Sequence, residues 1–516
     1  MKVQDVFRAQ YFLACLEKEI KRAEKALSQL SCFSTSLHDI LVYFSSHLMI
    51  ELDQLLLPTI VNEIHKAKHL GLLRGETPED RYESFFINDN DYTEYAKGIV
   101  KQYPFLFEHI DNLIRQTLDA LILCLTRFWK DRQDIRQWLP NLSELKIATV
   151  QPLSSSDRHR KQQSVLICFS CGNKLIYKPV DLLPDLLFGE FVAFLDLGKQ
   201  HDLRTLNVLP KGEYGWMEYV HRKACNSLVK VKNFYRRAGV LLAVADALNY
   251  TDGHCENLIA DGEFPILIDN ETLFQNYEKS VAQQKNILST LLIQKTTEDS
   301  IHLNSALQAP SGIKLEYLET HPLNDHTDQI EIRYFGINPS EHHHSPLFEN
   351  RLHQVSDYVQ EVIEGYAYAY DRISCKLVDI IHNDKWWERV GKAQSRIVIR
   401  ETMSYAYLLR RIQQPENMTL SSSETVLREK LGATIYTDYE VADLLSLNIP
   451  YFYHFPDERH LYTGNSHRYE DAFTESAIDV MKRQLVNRSE EKKLFDCEII
   501  TRHLTYSQIP HNGLEP

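Results

Sequence analysis

The longest apolar stretch, around Leu118 to Leu125, contains Asp119 and falls far short of the roughly 20 residues a spanning helix needs. An amino-terminal secretory pattern is also missing, and the nine cysteines (15, 32, 124, 168, 171, 225, 255, 375 and 497) are scattered and odd in number. Disulfides and membrane insertion are therefore not expected, and the assigned compartment is a reducing cytoplasm. Cationic charge is in short supply: 57 Lys and Arg against 71 Asp and Glu leave a formal charge of -14 and a sequence pI near 5.9. That balance argues against general nucleic-acid or anionic-membrane binding, although a local basic groove is compatible with it. Cys168-x-x-Cys171 has no second CxxC to complete a zinc site, and it reads as hairpin core and turn.

What is present is a globular, multi-domain composition, with 516 residues, 43% of them hydrophobic, enough for two to four domains. Residues 1–148 are rich in Leu, Glu, Lys and Ala and carry helical periodicity, as in Phe7, Tyr11, Leu13, Leu16 and Ile20. Within them Thr77-Pro78-Glu79-Asp80 predicts a helix start, with Thr77 as cap and Pro78 in the first turn. After the polar break Leu153–Asp157 the pattern turns β-rich: Ser164–Phe169, a Cys171-Gly172-Asn173 turn, then Lys174–Pro179 predict a hairpin. Residues 149–230 are expected to form one lobe and 231–516 another. Residues 276–330 are polar and weakly periodic, as befits an activation-type or precursor-binding segment or a mobile insertion. His342-His343-His344 reads as an exposed loop cluster without a role, and Trp386-Trp387 as core packing.

The chemistry is concentrated in Thr251-Asp252-Gly253-His254-Cys255-Glu256-Asn257, followed twelve residues after Asn257 by Asp269 in Ile268-Asp269-Asn270-Glu271. The apolar residues Phe234, Ala238, Leu241, Leu242, Ala245 and Leu248 predict a buried amphipathic helix before the loop, and Phe264–Ile268 a strand leading to Asp269. Helix, loop with Asp and Asn, turn, strand and Asp are the order of a phosphoryl-transfer centre: a base for the incoming hydroxyl and two oxygen ligands for a hard cation. The plainer alternative is that Asp252 and Asn257 only punctuate a loop.

Lys178 ends the hairpin 74 residues before Asp252, the place of a kinase's phosphate-binding lysine. An edge-strand lysine that blunts aggregation is the other reading. Asp157-Arg158-His159 precedes the hairpin where an ordinary protein kinase carries a glycine-rich loop, and no glycine cluster stands there.

Taken together, Leu73 to Tyr82, Tyr103-Pro104, Asp157-x-His159, Tyr177-Lys178-Pro179, Thr251 to Ile259, Ile268 to Phe274, Arg396-x-x-x-Arg400-x-Thr402 and Asn448 to Phe452 resemble the dehydratase half of LanM-type (class II) lanthipeptide synthetases. The resemblance implies an α+β fold with a two-lobed, lipid-kinase-like catalytic core and additional mainly helical regions. It further implies phosphorylation of Ser and Thr in a leader-bearing precursor peptide with ATP and Mg²⁺, then elimination of phosphate to give dehydroalanine and dehydrobutyrine. By matched position Lys178, Asp252, His254, Asn257, Asp269 and Glu271 belong to the kinase step, with Asn257 and Asp269 as metal ligands. Asp157 and His159 match the nucleotide-phosphate loop, and Arg396 and Thr402 match residues for elimination.

Departures from that family's pattern shape the expectation. The zinc-bearing cyclase of full-length members is not seen before Pro516, so ring closure would fall to a separate cyclase. Val180 stands where an Arg usually follows Tyr-Lys-Pro, and Glu401 where a Pro often lies, both of which weigh against efficient elimination. Residues 395–399 predict a strand and Tyr405–Leu409 a helix; in a purely structural role Arg396 would pair with a carboxylate and Thr402 would cap that helix. The rival functions are a peptide kinase that stops at the phosphorylated product and a non-catalytic precursor-binding subunit.

Overall fold

The computed structural model describes residues 3–86, 101–140, 145–153, 158–276, 286–294, 296–297, 300–301, 305–308, 315–337 and 343–505. Packing gathers the chain into two compact units, each assembled from separate stretches. The first comprises Met1–Pro179, Glu316–Gly336 and Val398–Tyr451; the second comprises Val180–Leu315, Ile337–Ile397 and Phe452–Pro516.

The first unit begins with helices α1 (Val3–Leu27), α2 (Leu37–His69), α3 (Pro78–Ser84) and α4 (Pro104–Trp138). Ser36 caps α2 by accepting the Asp39 N–H at 3.1 Å. At α3 the expected start is realised as a full capping box: Thr77 Oγ1 accepts the Asp80 N–H at 3.0 Å, and Asp80 accepts the Thr77 N–H in return at 3.1 Å. Helices α1, α2 and α4 pack together and bury Leu16, Phe44, Leu48, Leu118, Leu121 and Phe128. By length and composition α2 is also apolar enough to cross a membrane, which a search for unbroken runs passes over; half of that window is buried, as in a core helix. Arg81 and Lys68 both reach Asp328, at 2.7 and 3.1 Å, and so tie the turn between strands Leu315–Leu323 and Glu331–Ile337 to the helical layer.

The strands β1 (Ile147–Pro152), β2 (Val165–Phe169) and β3 (Lys174–Lys178) form an antiparallel meander, with Val150 opposite Ile167 and Val165 opposite Tyr177. Gly172, at φ +84°, makes the tight turn between β2 and β3, a conformation that a side chain would strain. Helices Thr402–Ile412, Leu420–Leu431 and Thr437–Leu445 enclose a small core of their own around Leu408, Ile412, Leu427, Leu444 and Ile449.

In the second unit α5 (Leu183–Leu195) precedes the central helix α6 (Leu228–Ala247), which Ser227 caps through the Lys230 N–H. The helix is buried as its periodicity predicts, and from Ala238 to Ala247 it is buried on every side, so over that stretch it is a core helix without a polar face. Helix α7 (Val359–Cys375) crosses it at backbone contact. A Cβ on Gly239 would lie 1.9 Å from Val362 O, and one on Gly365 would lie 1.8 Å from Arg236 O. Trp386 and Trp387 join this core. His344 is buried and the His343 carbonyl accepts the Ala260 N–H at 2.7 Å, which corrects the expectation of a wholly exposed histidine loop; His342 lies outside the described residues.

The helix crossing yields a direct test. Gly239→Ala or Gly365→Ala should cost about 1–3 kcal/mol or more through overpacking against backbone that cannot yield. Gly189→Ala should be near neutral, because its Cβ would meet only the Thr205 side chain, with the hydroxyl nearest at 3.3 Å. Thermal midpoints of the three variants separate the cases, and equal midpoints would refute the close crossing.

Candidate active site

The chain leaves α6 through Asn249 at φ +53° and reaches Asp252 at φ +77°, a left-handed backbone that an L side chain adopts only when its surroundings hold it. Gly253 supplies the hold. Its N–H donates to Thr290 O at 2.8 Å and its carbonyl accepts the Ala306 N–H at 2.9 Å, so the loop is clasped from both sides. A Cβ at Gly253 would lie 2.5 Å from Thr290 O, which leaves room for glycine alone.

The turn Cys255–Asn257 then feeds an antiparallel hairpin, β4 (Leu258–Asp261) and β5 (Phe264–Leu267), with Leu258 opposite Leu267 and the turn at Gly262. Pairing continues one step past the strands, since Ile268 N–H donates to Asn257 O at 3.0 Å. That register explains the twelve-residue spacing of the motif: Asn257 and Asp269 flank the open end of one hairpin.

At this open end Asn257 Nδ2 donates to Asp252 O at 2.9 Å, lies 3.4 Å from Asp252 Oδ2, and sits 3.1 Å from His254 Nε2. His254 Nε2 is 3.6 Å from Asp252 Oδ1, with both side chains about a third exposed, at 29% and 33%. None of the described residues donates to Asn257 Oδ1, which makes that oxygen a candidate ligand. Burial raises the proton affinity of Asp252 above that of an ordinary carboxylate; His254 and Arg396 oppose the shift, and Asp269 adds to it.

The residues after Asp269 are each engaged. Asp269 Oδ1 accepts the Glu271 N–H at 3.3 Å. Asn270 Nδ2 donates to Asp185 Oδ1 on α5 at 2.9 Å, both side chains buried. Glu271 pairs with Arg396 at 2.6 Å, each side chain only 11% exposed, and the Arg396 N–H donates to Glu271 O at 2.7 Å. Arg396 sits in β6 (Ser395–Ile397), which pairs with strand Phe452–His454 with Arg396 opposite Tyr453. Gln275 Nε2 binds Ser395 Oγ at 3.0 Å and the Arg396 carbonyl, so β6 hangs on the same loop. Beneath them lies Tyr250, fully buried, whose phenol is held protonated far above its ordinary range by burial and by Asp252, Asp269, Asp185 and Glu271.

The structure thus brings Asp252, His254, Asn257, Asp269, Glu271 and Arg396 together. Lys178, His159 and Thr402 belong to the first unit. Lys178 ends β3, half-buried. His159 Nδ1 is 3.1 Å from Ile449 O, while Asp157 lies outside the described residues. Thr402 is the first residue of its helix and not its cap: Glu401 occupies the cap position, and no side chain caps that end. Arg400 is taken by the buried Glu440 at 2.8 Å, and Glu401 is exposed. Arg396 does have the carboxylate partner that a structural role requires. Three residues of this centre escape motif reasoning. Tyr250 directly precedes the first motif and Thr272 lies within the second without a role assigned to it, whereas Asp185 carries no such signal.

Among the described residues no three His, Cys, Asp or Glu side chains gather to hold a metal by themselves. A donor pair of the Asp269 carboxylate and the Asn257 amide oxygen is nonetheless of the hard-oxygen kind that Mg²⁺ takes together with waters and substrate phosphates. Asp252, Asp269, Asp185 and Glu271 all act on the Tyr250 phenol, so negative charge is concentrated at this centre, which fits a cation.

Residues 103–454, more than half of the chain, match a family described as Domain of unknown function (DUF4135). The chain is also 29% identical over 433 residues to the Lacticin 481/lactococcin biosynthesis protein LcnDR2 of Lactococcus lactis subsp. lactis. That alignment takes in 76% of this chain and 45% of the relative, so the chain spans about half the length of the curated relative it matches. Both similarities bear out the resemblance to the LanM dehydratase region drawn from the motifs.

The raised proton affinity of Asp252 has a measurable sign. A carboxyl whose folded pKa exceeds its unfolded value makes the native state bind protons more tightly, so its burdened, charged form costs stability above that folded pKa, and the cost fades as pH falls toward the ordinary value of 3.8. Asp252→Asn should therefore raise the thermal midpoint of the ligand-free protein at pH 7 and lose that advantage near pH 4. A midpoint below the parental one at pH 7 would contradict the assignment.

Proposed function

Because the chain belongs to the DUF4135 family over residues 103–454, we propose that it works in lanthipeptide biosynthesis as a dehydratase that phosphorylates Ser and Thr of a leader-bearing precursor peptide and then eliminates the phosphate. The observation that carries the reading is the single cluster of Asp252, Asn257 and Asp269 at the open end of one hairpin, with the Glu271–Arg396 pair beside it. On this reading the catalytic core is two-lobed and lipid-kinase-like, the compartment is the cytoplasm, ATP is the donor, and a separate cyclase is a candidate partner.

Asp252 takes the proton of the peptide hydroxyl, and its raised proton affinity brings it closer to the working pH of a general base. Asn257 holds that carboxylate in place through its amide N–H, which leaves its side-chain oxygen for a cation. Asn257 Oδ1 and Asp269 would hold Mg²⁺, which when bound supplies counter-charge to the nucleotide phosphates. By matched position Lys178 adds a point charge for those phosphates, and Asp157 and His159 belong to the loop that receives them. Elimination makes different demands. The α-proton passes to a base, the Cα–H electron pair becomes the Cα–Cβ double bond, and the Cβ–O bond breaks with its electron pair departing on phosphate. Arg396 is suited to grip that dianion with a guanidinium fork, and Thr402 is its partner by matched position.

A second reading, a kinase that stops at the phosphopeptide, draws support from Glu271, which already occupies the Arg396 guanidinium at 2.6 Å. Mass spectrometry of a candidate precursor separates the cases. Loss of about 18 Da per site marks dehydration, gain of about 80 Da marks phosphorylation alone, and binding without a mass change marks a scaffold. Asp252→Asn should slow phosphoryl transfer by about 10²–10⁴-fold, and Asp269→Ala should abolish it. Arg396→Lys keeps a charge beside Glu271, so phosphorylation should persist while phosphopeptide accumulates. Dehydrated product at the parental rate from Arg396→Lys would remove that arginine from elimination.

A further inference from the structure

Two side chains outside these roles join the base loop to the metal loop. Tyr250, with no exposed surface, aims its hydroxyl at Asp269 O, 3.0 Å away, and lies 3.3 Å from Asp252 O. Asp252 O already accepts the His254 N–H at 2.8 Å and Asn257 Nδ2 at 2.9 Å, which fills its two lone pairs and directs the phenol proton to Asp269 O. Thr272, 1% exposed, answers from the other loop by donating its hydroxyl to Thr251 O. Elsewhere the two segments are laced by backbone: Phe274 N–H to Leu248 O at 2.9 Å and Gln275 N–H to Asn249 O at 3.2 Å. At the level of the functional residues that ladder stretches, with Thr251 N–H 3.4 Å from Thr272 O, and the next residue, Asp252, has left-handed backbone. The hydroxyls supply ties where the ladder weakens, and neither can touch nucleotide or peptide.

We propose that Tyr250 and Thr272 are positioning residues, a reciprocal hydroxyl clasp that sets the spacing between the Asp252 base and the Asp269 metal ligand. The inference rests on the kinase reading of the site. It predicts that loss of either hydroxyl leaves the side chains of Asp252 and Asp269 present but misplaced. Phosphoryl transfer depends on such placement more than on any covalent contribution from the protein.

The test uses the full chain and four variants: Tyr250→Phe, Thr272→Val, the double variant, and Thr272→Ser, which keeps the hydroxyl. Calorimetric binding of a non-hydrolysable ATP analogue is followed against Mg²⁺ concentration, alongside thermal midpoints and peptide phosphorylation. Each single loss should raise the Mg²⁺ concentration for half-maximal nucleotide binding roughly tenfold, as is typical for residues that orient metal ligands. The double variant should fall short of the product of the two, because both act on one spacing, and Thr272→Ser should keep the parental value. A lowered midpoint with parental Mg²⁺ dependence in the folded variants marks packing alone and overturns the clasp. Should Tyr250→Phe fail to fold, parental Mg²⁺ dependence in Thr272→Val overturns it equally. Absence of Mg²⁺-dependent nucleotide binding by the parental protein overturns the kinase reading itself, and the clasp with it.

Discussion

Holding carboxylates close together with restricted access to water is unfavourable, and the second unit gathers four of them, the buried Asp185 and Glu271 and the partly exposed Asp252 and Asp269, about the buried phenol of Tyr250. Each is managed by a different means. Asp185 is met by the Asn270 amide and Glu271 by the Arg396 guanidinium. Asp252 shares Asn257 and His254 and binds its proton more tightly than an ordinary carboxyl. Asp269 accepts a backbone N–H from Glu271. Carboxylates concentrated in this way are in keeping with a bound cation, because a purely structural cluster would be better served by apolar side chains.

Concentrated charge needs a rigid frame, and the frame is built from close backbone approaches. Gly239 and Gly365 let α6 and α7 cross without intervening side chains, and α6 is buried all round from Ala238 onward, so the segment that leads into the Asp252 loop is held by close packing. Gly253 brings the loop against Thr290, and that contact stabilises the left-handed Asp252 that a free chain would avoid. Stability is spent here on geometry, in the manner of functional sites generally.

Arginine usage marks the division of labour along the stretch from Arg396 to Thr402. Arg400 is committed to structure: Glu440, fully buried, takes its guanidinium and the Tyr405 hydroxyl together. Arg396 has a carboxylate partner too, but one that is itself a functional candidate and lies near Asp252. In the proposed elimination a departing phosphate dianion would carry more charge than Glu271 and compete for the same fork, so the ion pair is compatible with that proposal.

Local structure was legible in the chain because its signals are local. The capping box at Thr77 and Asp80, the turn at Gly172, the helix before Asn249 and the strand before Asp269 follow from caps, periodicity and turn residues within a few positions. The spacing of Asn257 and Asp269 was legible for the same reason, since one short hairpin sets it. What only the tertiary structure decided are pairings across the chain: Asn270 with Asp185, 85 residues apart, and Arg396 with Glu271, 125 residues apart. It also decided that His344 is buried and that α6 has no exposed face from Ala238 onward. No periodicity encodes such partners, because they are selected when separate segments close on one core and the buried charge of each must find the group that compensates it.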